Sequence, residues 1–296
     1  MEIIKPSVEL WIQENPIDHV ARCARICYAS DKTTGNTAMY NRLQSSNHMS
    51  MFRHESIYMI APGRSDRYEL IDLFNNCPYV DYRIDYDNNE IYISTNRQFY
   101  IENECIRYFG EWLVTPTEFA NTMLGKEIMR YTFKVVTQIS TSRELNRVSP
   151  NNISEQSTRY VNLSKKGGAI CQPHWLNEET VNYINSKLTI NLSVEEQNKY
   201  IKEINYLKEC SRAFATYNFL ISEGNMLPQD ARGVLPLDTA TVCVYTYTIA
   251  EWRHIIDLRY YGTTGKPHPN AVIIAGMIRD KLIEIGYEFS KTKEEN

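Results

Sequence analysis

Two long runs rich in β-branched and aromatic residues, 128–140 and 234–248, constrain the fold more than any other feature of this chain. Runs of this composition are typical of strands buried in a sheet. Helical spacing predicts one helix near the start of the chain, over 16–30, and two after the second run, over 249–260 and about 268–286. We therefore predict an α+β fold in which a central, mostly antiparallel sheet is flanked by helices.

The chain shows no internal repeat and no low-complexity linker, which favours a single domain over residues 1–296. Residues 66–125 are interpreted as an insertion in this domain. Within the insertion, the alternating pattern on both sides of Asp87–Asn88–Asn89 predicts a β-hairpin over 80–95. The segment 97–113 that follows has a helical pattern.

The C-terminal half contains one long predicted helix. Its apolar spacing extends over 193–223, and Ser193 with Glu196 forms a capping-box pattern at its start. The last residues, 290–296, are strongly charged and are expected to form a frayed tail.

Charge and cysteine usage exclude several classes of protein. A net charge of −4 and a pI of about 5.9 argue against a general nucleic-acid binder, which usually has a basic face. The seven cysteines are scattered and form no CxxC pair, and the six histidines lack metal-ligand spacing, so neither disulfides nor a metal site is expected. No run approaches the ~20 apolar residues of a membrane span. We expect a soluble, cytoplasmic protein.

The stretch SRELNRVSPNNISEQSTRY, residues 142–160, combines many polar side chains in one connection. Near its end, Ser157, Thr158 and Arg159 lie just after Glu155. Guanidinium groups pair bidentately with phosphate, and hydroxyls can complete the shell around the phosphate oxygens. This segment is therefore a candidate phosphate site. The alternative is a solvated loop whose polar residues cap neighbouring helices.

Five elements of the sequence resemble motifs of the flavin-dependent thymidylate synthases, the ThyX family. Residues 142–160 are similar to the family's segment in which a helix carrying Arg-His-Arg leads to a loop ending in Ser-x-Arg-Tyr. The other four are ARCARICYAS (21–30), NHMSMFRHESIYMI (47–60), QDARGVLPLDT (229–239) and EWRHIIDLR (251–259). Their order and spacing over nearly the whole chain identify it as a member of this family, with the family's single domain.

The resemblance implies a reaction. Members of the family make dTMP from dUMP and methylenetetrahydrofolate, with NADPH as the reductant and FAD as the carrier of the hydride. They use no cysteine nucleophile, so none of the seven cysteines is expected to be catalytic. They are homotetramers whose active sites are shared between chains, and we expect the same assembly here.

Carried over position by position, the resemblance also implies the residues of the site. Residues 157–159 would hold the nucleotide phosphate together with Arg232 of a neighbouring subunit, and Arg259 would stabilise negative charge on the uracil ring. The expected substrate-binding residues are Glu144, Arg147, Glu155, Ser157, Thr158, Arg159, Arg232 and Arg259. The candidate catalytic residues among them are Arg259, Glu155 and Ser157. The expected flavin-binding residues are His54, Arg147, Thr248 and His254.

The match breaks where the family has Arg-His-Arg, because Arg147 is followed here by Val148 and Ser149. The missing histidine and second arginine would have contacted FAD. Losing one charge-assisted hydrogen bond costs ~1.5–3 kcal/mol, so flavin binding should be weaker. Arg53 or Arg143 is a possible substitute, although a solvated surface position is the simpler interpretation for both.

Three functions follow from this asymmetry between retained nucleotide residues and altered flavin residues. The first is methylation of dUMP to dTMP with a rebuilt flavin pocket. The second is different one-carbon chemistry, such as hydroxymethylation, on dUMP or dCMP. The third is binding of a pyrimidine nucleotide without catalysis. His54 also has two interpretations, as a flavin contact or as a core histidine whose hydrogen bonds are satisfied within the fold.

Overall fold

The structure of the protein is a computed structural model that describes residues 1–29, 34–63, 67–103, 109–147, 152–187 and 193–290. The strands are β1 (Glu2–Ile4), β2 (Ser7–Trp11), β3 (Ser56–Pro62), β4 (Asp81–Asp85), β5 (Glu90–Asn96), β6 (Arg130–Gln138), β7 (Ile153–Glu155), β8 (Ala169–Cys171) and β9 (Ala240–Thr248). The predicted tail at 290–296 lies outside the described residues, apart from residue 290.

The described helices surround these strands. They are α1 (Pro16–Tyr28), α2 (Asn36–Ser45), α3 (Arg67–Asn75), α4 (Arg97–Glu102), α5 (Pro116–Phe119), α6 (Met123–Glu127), α7 (Ile139–Asn146), α8 (Leu163–Lys166), α9 (Glu178–Lys187), α10 (Val194–Lys199), α11 (Ile201–Ser222), α12 (Pro228–Ala231), α13 (Ile249–Ile256) and α14 (Pro269–Glu284). Short 3₁₀ helices at Met49–His54 and Arg232–Val234 and a π-helical segment at Asp257–Tyr261 complete the described elements.

The central sheet has the strand order β2-β6-β9-β7, and every pair in it is antiparallel. β6 and β9 pair over nine residues, from Arg130 opposite Thr248 to Gln138 opposite Ala240. Phe133 and Tyr245 face each other in this ladder and are buried in one apolar cluster with Trp252 of α13. The α+β class and the antiparallel centre that the sequence predicts are both confirmed.

A second sheet has the order β3-β5-β4 and combines β3 with two strands from the predicted insertion. The hairpin expected around 87–89 is the β4–β5 pair, and β5 also pairs with β3 along its whole length. A separate apolar cluster fills the space between this sheet and its helices, and it includes Phe74, Phe99, Phe109 and Trp112. This second sheet therefore has an apolar core of its own, separate from the core at the central sheet.

The helix predicted over 97–113 is wrong for residues 109–113, which form a turn and a β-bridge. α4 ends at Glu102, and residues 104–108 lie outside the described part of the chain. Further along, the Ile60 N–H donates to the Trp112 carbonyl oxygen at 2.9 Å, and the Val114 N–H donates to the Tyr58 carbonyl oxygen at 3.1 Å. This part of the chain is therefore not helical: residues 109–112 form a turn, and Leu113 forms an antiparallel β-bridge with Met59 at the free edge of β3.

Three other boundaries differ from the sequence expectation. The 193–223 helix is divided at Tyr200, whose φ of −111° ends α10 before α11 begins, although the capping box of Ser193 and Glu196 is present. β9 begins six residues later than the 234–248 run, because a 3₁₀ turn and Pro236 precede it. The sequence did not predict β1 and β2, although β2 pairs with β6 at an edge of the central sheet.

A chain of hydrogen bonds between side chains crosses the central sheet. It runs through Arg22, His19, Thr132, Thr246, His54, Ser154 and Met51, with donor–acceptor distances between 2.7 and 3.4 Å. Arg22 can only donate and the Met51 sulfur can only accept, so the direction of every hydrogen bond between them is fixed. His19 and His54 are therefore neutral, with the proton on Nε2 of each ring. Burial lowers the pKa of both histidines to about 3.

We expect the protein to lose stability as the pH falls from 6.5 towards 3. In this range both histidines bind a proton in the unfolded chain but stay neutral in the folded one. Each of these protons lowers the free energy of unfolding by up to ~1.4 kcal/mol per unit of falling pH. Urea unfolding of the His54→Asn variant should show a shallower decline than the wild type. The exposed His254→Asn is the matched control. Equal slopes for wild type and His54→Asn would contradict the neutral, buried state of His54.

Candidate nucleotide-binding site

A cleft of about 600 Å³ opens at the end of the central sheet where β6 ends and β9 begins. α7 starts there, and its first N–H groups donate to the segment before β9: Ile139 to the Thr239 carbonyl oxygen at 3.0 Å and Ser140 to that of Leu237 at 3.1 Å. The wall therefore consists of α7 on one side and the 232–237 segment on another. The charged and hydroxyl-bearing side chains that line it are Arg143, Glu155, Ser157, Thr158 and Arg232.

Glu155 ends β7 and is held in a fixed orientation. Ser142 Oγ donates to its Oε1 at 2.8 Å, and Thr241 Oγ1 donates to the same oxygen at 3.3 Å. Asn146 Nδ2 donates to Oε2 at 3.4 Å. Ser142 and Asn146 are four residues apart on α7 and so lie on one face of the helix. The carboxylate is thus oriented by hydrogen bonds to both of its oxygens before any ligand arrives.

The loop after β7 presents two hydroxyls to the cleft. Ser157 Oγ accepts the N–H groups of Arg159 and Tyr160 at 3.2 and 3.4 Å, and the Ser157 N–H is bound to the Cys27 carbonyl oxygen at 3.0 Å. This compact turn anchors the loop to the end of α1. The hydroxyl hydrogen of Ser157 remains a donor for a ligand oxygen.

Arg232 reaches the cleft from the same chain. Its Nη1 donates to Thr158 Oγ1 at 3.0 Å. This contact forms within one chain, because the 3₁₀ turn at Arg232–Val234 folds back onto the 157–159 loop. The expected contribution of Arg232 to the site of a neighbouring subunit stays a prediction. Three of the expected phosphate ligands, Ser157, Thr158 and Arg232, are brought together.

Arg159 does not belong to the described lining of this cleft. Its Nε donates to Gln229 Oε1 at 3.1 Å, and its guanidinium lies over the Tyr160 ring at 5.1 Å. The side chain is exposed. Its predicted contact with phosphate stays a prediction, and in this conformation the residue contributes its backbone N–H to the Ser157 turn.

Arg259 and Glu144 contact each other outside the described lining of the cleft. Nε and Nη2 of Arg259 both donate to the Glu144 carbonyl oxygen, at 3.1 and 2.9 Å, and Nη1 lies 3.6 Å from Glu144 Oε2. The carbonyl is one of the last in α7, where a cation also interacts favourably with the helix dipole. The predicted role of Arg259 at the uracil and that of Glu144 in substrate binding stay predictions.

The expected flavin residues do not form one site in this chain. His54 is fully buried, and both its ring nitrogens are hydrogen-bonded to hydroxyls, which is the arrangement of a core histidine. Thr248 caps α13 in a capping box with Glu251. Arg147 and His254 are exposed. The altered residues Val148 and Ser149 lie outside the described part of the chain.

Two thiols lie close to Glu155. Burial raises the pKa of Cys27 and raises that of Cys243 well above its ordinary value. Both thiols therefore stay protonated near neutral pH and are poor nucleophiles. All six described cysteines are free, and no described His, Cys, Asp and Glu residues form a cluster that could hold a metal.

A second cleft, of about 620 Å³, lies at the opposite end of β9 and has three cations in its wall. These cations are already engaged by the protein. Arg83 Nη1 is 2.9 Å from Asp81 Oδ1, Lys126 Nζ donates to the Gly286 carbonyl oxygen at 3.3 Å, and Arg253 Nη1 donates to that of Glu288 at 2.6 Å. The hydroxyl in its wall, that of Tyr287, already donates to the Lys126 carbonyl oxygen at 3.0 Å. The α7 cleft instead places the Ser157 and Thr158 hydroxyls beside an oriented carboxylate, and we take it as the candidate site.

The family model described as thymidylate synthase complementing protein matches residues 125–273, half of the chain. The matched segment runs from just before β6 to the start of α14 and includes every described wall residue of the α7 cleft. The chain belongs to this family. The ThyX resemblance read from the sequence motifs is thereby confirmed.

Solved structures with a similar fold include the UMP/dUMP methylase PolB from Streptomyces cacaoi bound with 5-Br dUMP. It is 15% identical, with 96% of this chain and 93% of that chain covered and a TM-score of 0.44. ThyX from Helicobacter pylori, with FAD and dUMP, is 15% identical, with 93% and 92% covered and a TM-score of 0.39. No curated protein matches the chain. Among the described residues of this ThyX-family member, none of the helices has the length and hydropathy needed to cross a bilayer.

We expect the change Arg259→Gln to lower the free energy of unfolding by ~1–3 kcal/mol. It removes a charge-assisted, two-pronged hydrogen bond to the Glu144 carbonyl oxygen near the end of α7. Denaturant unfolding measures the effect. Arg212→Gln, at an exposed arginine of α11 with one distant carboxylate contact, is the control and should change stability by less than ~0.5 kcal/mol. Equal effects of the two changes would show that Arg259 does not stabilise α7.

Proposed function

We propose that this protein binds a pyrimidine deoxynucleoside monophosphate in the α7 cleft and transfers a one-carbon unit to the base. One observation carries the proposal: a pre-oriented carboxylate, Glu155, lies in the same cleft as the hydroxyls of Ser157 and Thr158 and the guanidinium of Arg232. A nucleotide requires both a cationic, hydroxyl-lined site for its phosphate and an acceptor for its hydroxyl and N–H groups.

The phosphate site lies at the loop after β7. Arg232 offers a planar fork of donors, of which only Nη1 is used by Thr158, and the hydroxyls of Ser157 and Thr158 add two further donors. The family resemblance adds Arg159, whose exposed guanidinium would have to leave Gln229 to join them. Anchoring of Ser157 to α1 keeps the loop in place, which lowers the entropy cost of ordering it on binding.

Glu155 would accept a hydrogen bond from the sugar or from the base. Each of its oxygens can accept more than one hydrogen bond, so Ser142, Thr241 and Asn146 do not exhaust it. The role of Arg259 follows from the resemblance: a cation at the pyrimidine would stabilise negative charge on the ring. In that role Arg259 would exchange at least one of its bonds to the Glu144 carbonyl oxygen for the ligand.

The first candidate reaction is methylation of dUMP to dTMP with methylenetetrahydrofolate, NADPH and FAD. It rests on family membership and on the resemblance of the motifs. His54 and Thr248 have their polar atoms engaged inside the fold, so the expected residues do not fit a flavin within one chain. We therefore derive no step through flavin from this structure. Other one-carbon chemistry on dUMP or dCMP is the second candidate, and nucleotide binding without turnover is the third.

We propose that the protein acts as a homotetramer in the cytoplasm, as the resemblance implies. Large apolar side chains are exposed close to the cleft in sequence and in space: Leu237 lies in the cleft wall, and Leu227, Phe219 and Val234 lie on the segments around it. Subunit contact would cover these side chains and would bring residues of another chain to the site.

We expect dUMP to bind to the wild type and to bind at least ~10-fold more weakly to Glu155→Gln. The amide of the variant presents N–H donors where the Glu155 carboxylate accepts hydrogen bonds from Ser142 and Asn146. The side chain in the variant is therefore no longer held in the orientation of Glu155. Isothermal titration calorimetry measures both affinities, with dCMP titrated in parallel to define the base. Glu209→Gln, at an exposed position on α11, is the matched control. Unchanged affinity in Glu155→Gln would remove the carboxylate from the site.

A second experiment separates the three candidate reactions. For dUMP methylation we expect the purified protein to take up FAD, release it on denaturation, and convert dUMP with methylenetetrahydrofolate and NADPH into a product with the mass of dTMP. A product heavier than its substrate by a hydroxymethyl group would establish the second candidate instead. Protein that binds dUMP, cannot be loaded with FAD and gives no product would establish the third.

A further inference from the structure

We infer that Arg143 is a specificity-determining residue, which supplies the second cation for the phosphate and makes the cleft selective for a dianionic phosphomonoester. The inference rests on the proposed function, because it names a residue of the same site. The sequence analysis considered Arg143 only as a substitute for the missing flavin contacts and favoured a solvated surface arginine.

The geometry of α7 directs Arg143 to the cleft. Ile139 and Arg143 are four residues apart and line the cleft together. The neighbouring face of the same helix carries Ser142 and Asn146, which hold Glu155. One face of α7 therefore orients the Glu155 carboxylate, and the neighbouring face places the Arg143 guanidinium in the cleft wall.

Arg143 differs from the other arginines around the site in its hydrogen bonding. Arg232 donates to Thr158, Arg159 donates to Gln229, and Arg259 donates to the Glu144 carbonyl oxygen. Arg143 makes no hydrogen bond or ion pair with any residue that the structure describes. Its five N–H donors are therefore available to a ligand, without the loss of a protein contact.

The charge in the cleft requires a second arginine if the ligand is an anion. Arg232 and Glu155 alone carry opposite charges that cancel. Arg143 makes the described lining net positive by one charge. A nucleoside monophosphate carries up to two negative charges on its phosphate, since the second phosphate ionisation has a pKa of about 6. The guanidinium groups of Arg143 and Arg232 together carry two positive charges, which suit such a dianion better than a monoanion.

The experiment compares wild type, Arg143→Gln and Arg143→Lys by calorimetric titration with dUMP at pH 7.5 and pH 5.5. We expect Arg143→Gln to bind dUMP ~10–100-fold more weakly at pH 7.5. Arg143→Lys should recover part of this loss, because it keeps the charge but not the fork. Arg212→Gln should bind as the wild type does.

The pH dependence gives a second measurement, which a purely structural residue would not alter. The charged groups that face the cleft are Arg143 from α7, Glu155 from β7 and Arg232; no histidine is among its described lining residues. The change between the two pH values therefore reports the phosphate of the ligand. Wild-type affinity should rise from pH 5.5 to 7.5 as the dianion forms, and this rise should be smaller in Arg143→Gln.

The outcomes separate this inference from the proposed function. If the wild type binds dUMP and Arg143→Gln binds it equally well with the same pH dependence, the role of Arg143 is refuted and the nucleotide site stands. If the wild type binds no nucleotide, the proposed function fails, and the role of Arg143 fails with it. The urea unfolding midpoint of Arg143→Gln should equal that of the wild type, because the exposed side chain makes no hydrogen bond or ion pair with the described residues.

Discussion

The antiparallel pairing of β6 with β9 is the constraint on which the rest of the structure depends. β9 is also the partner of β7, with Glu155 opposite Cys243, so the register of one strand fixes where the carboxylate lies. α7 begins at the residue after β6, and Ser142 reaches Glu155 from it. A shift of one residue in the pairing of β7 with β9 would turn Glu155 to the other face of the sheet and separate it from its donors.

Local sequence signals were enough for much of the fold. The Ser193–Glu196 capping box and the hairpin at 87–89 are both present, because each depends on residues within a few positions of one another. The helix predicted over 97–113 is wrong for residues 109–113, since a long-range edge contact with β3 overrides local propensity there. β1 and β2 are too short for a periodic signal and owe their form to their partners.

The site could be predicted only in part, for the same reason. The motif comparison found Glu155, Ser157, Thr158 and Arg232, which the structure brings together in one cleft. It gave no reason to place Arg143 in the same cleft, because the position of this residue depends on the direction in which α7 leaves β6. The spacing of Ile139 and Arg143 was the available signal, and it gains meaning only when that helix is known to wall a cleft. The bonding of His54 to Thr246 and Ser154 likewise depends on residues far away in the sequence.

The central claim is that a nucleotide occupies the α7 cleft with its phosphate at the loop after β7. A crystal structure of the protein grown with dUMP tests it most directly. We expect the phosphate oxygens within hydrogen-bonding distance of Ser157, Thr158 and Arg232, and the sugar or base at Glu155. A nucleotide found instead in the cleft of Arg83 and Arg253, with the α7 cleft empty, would contradict the account.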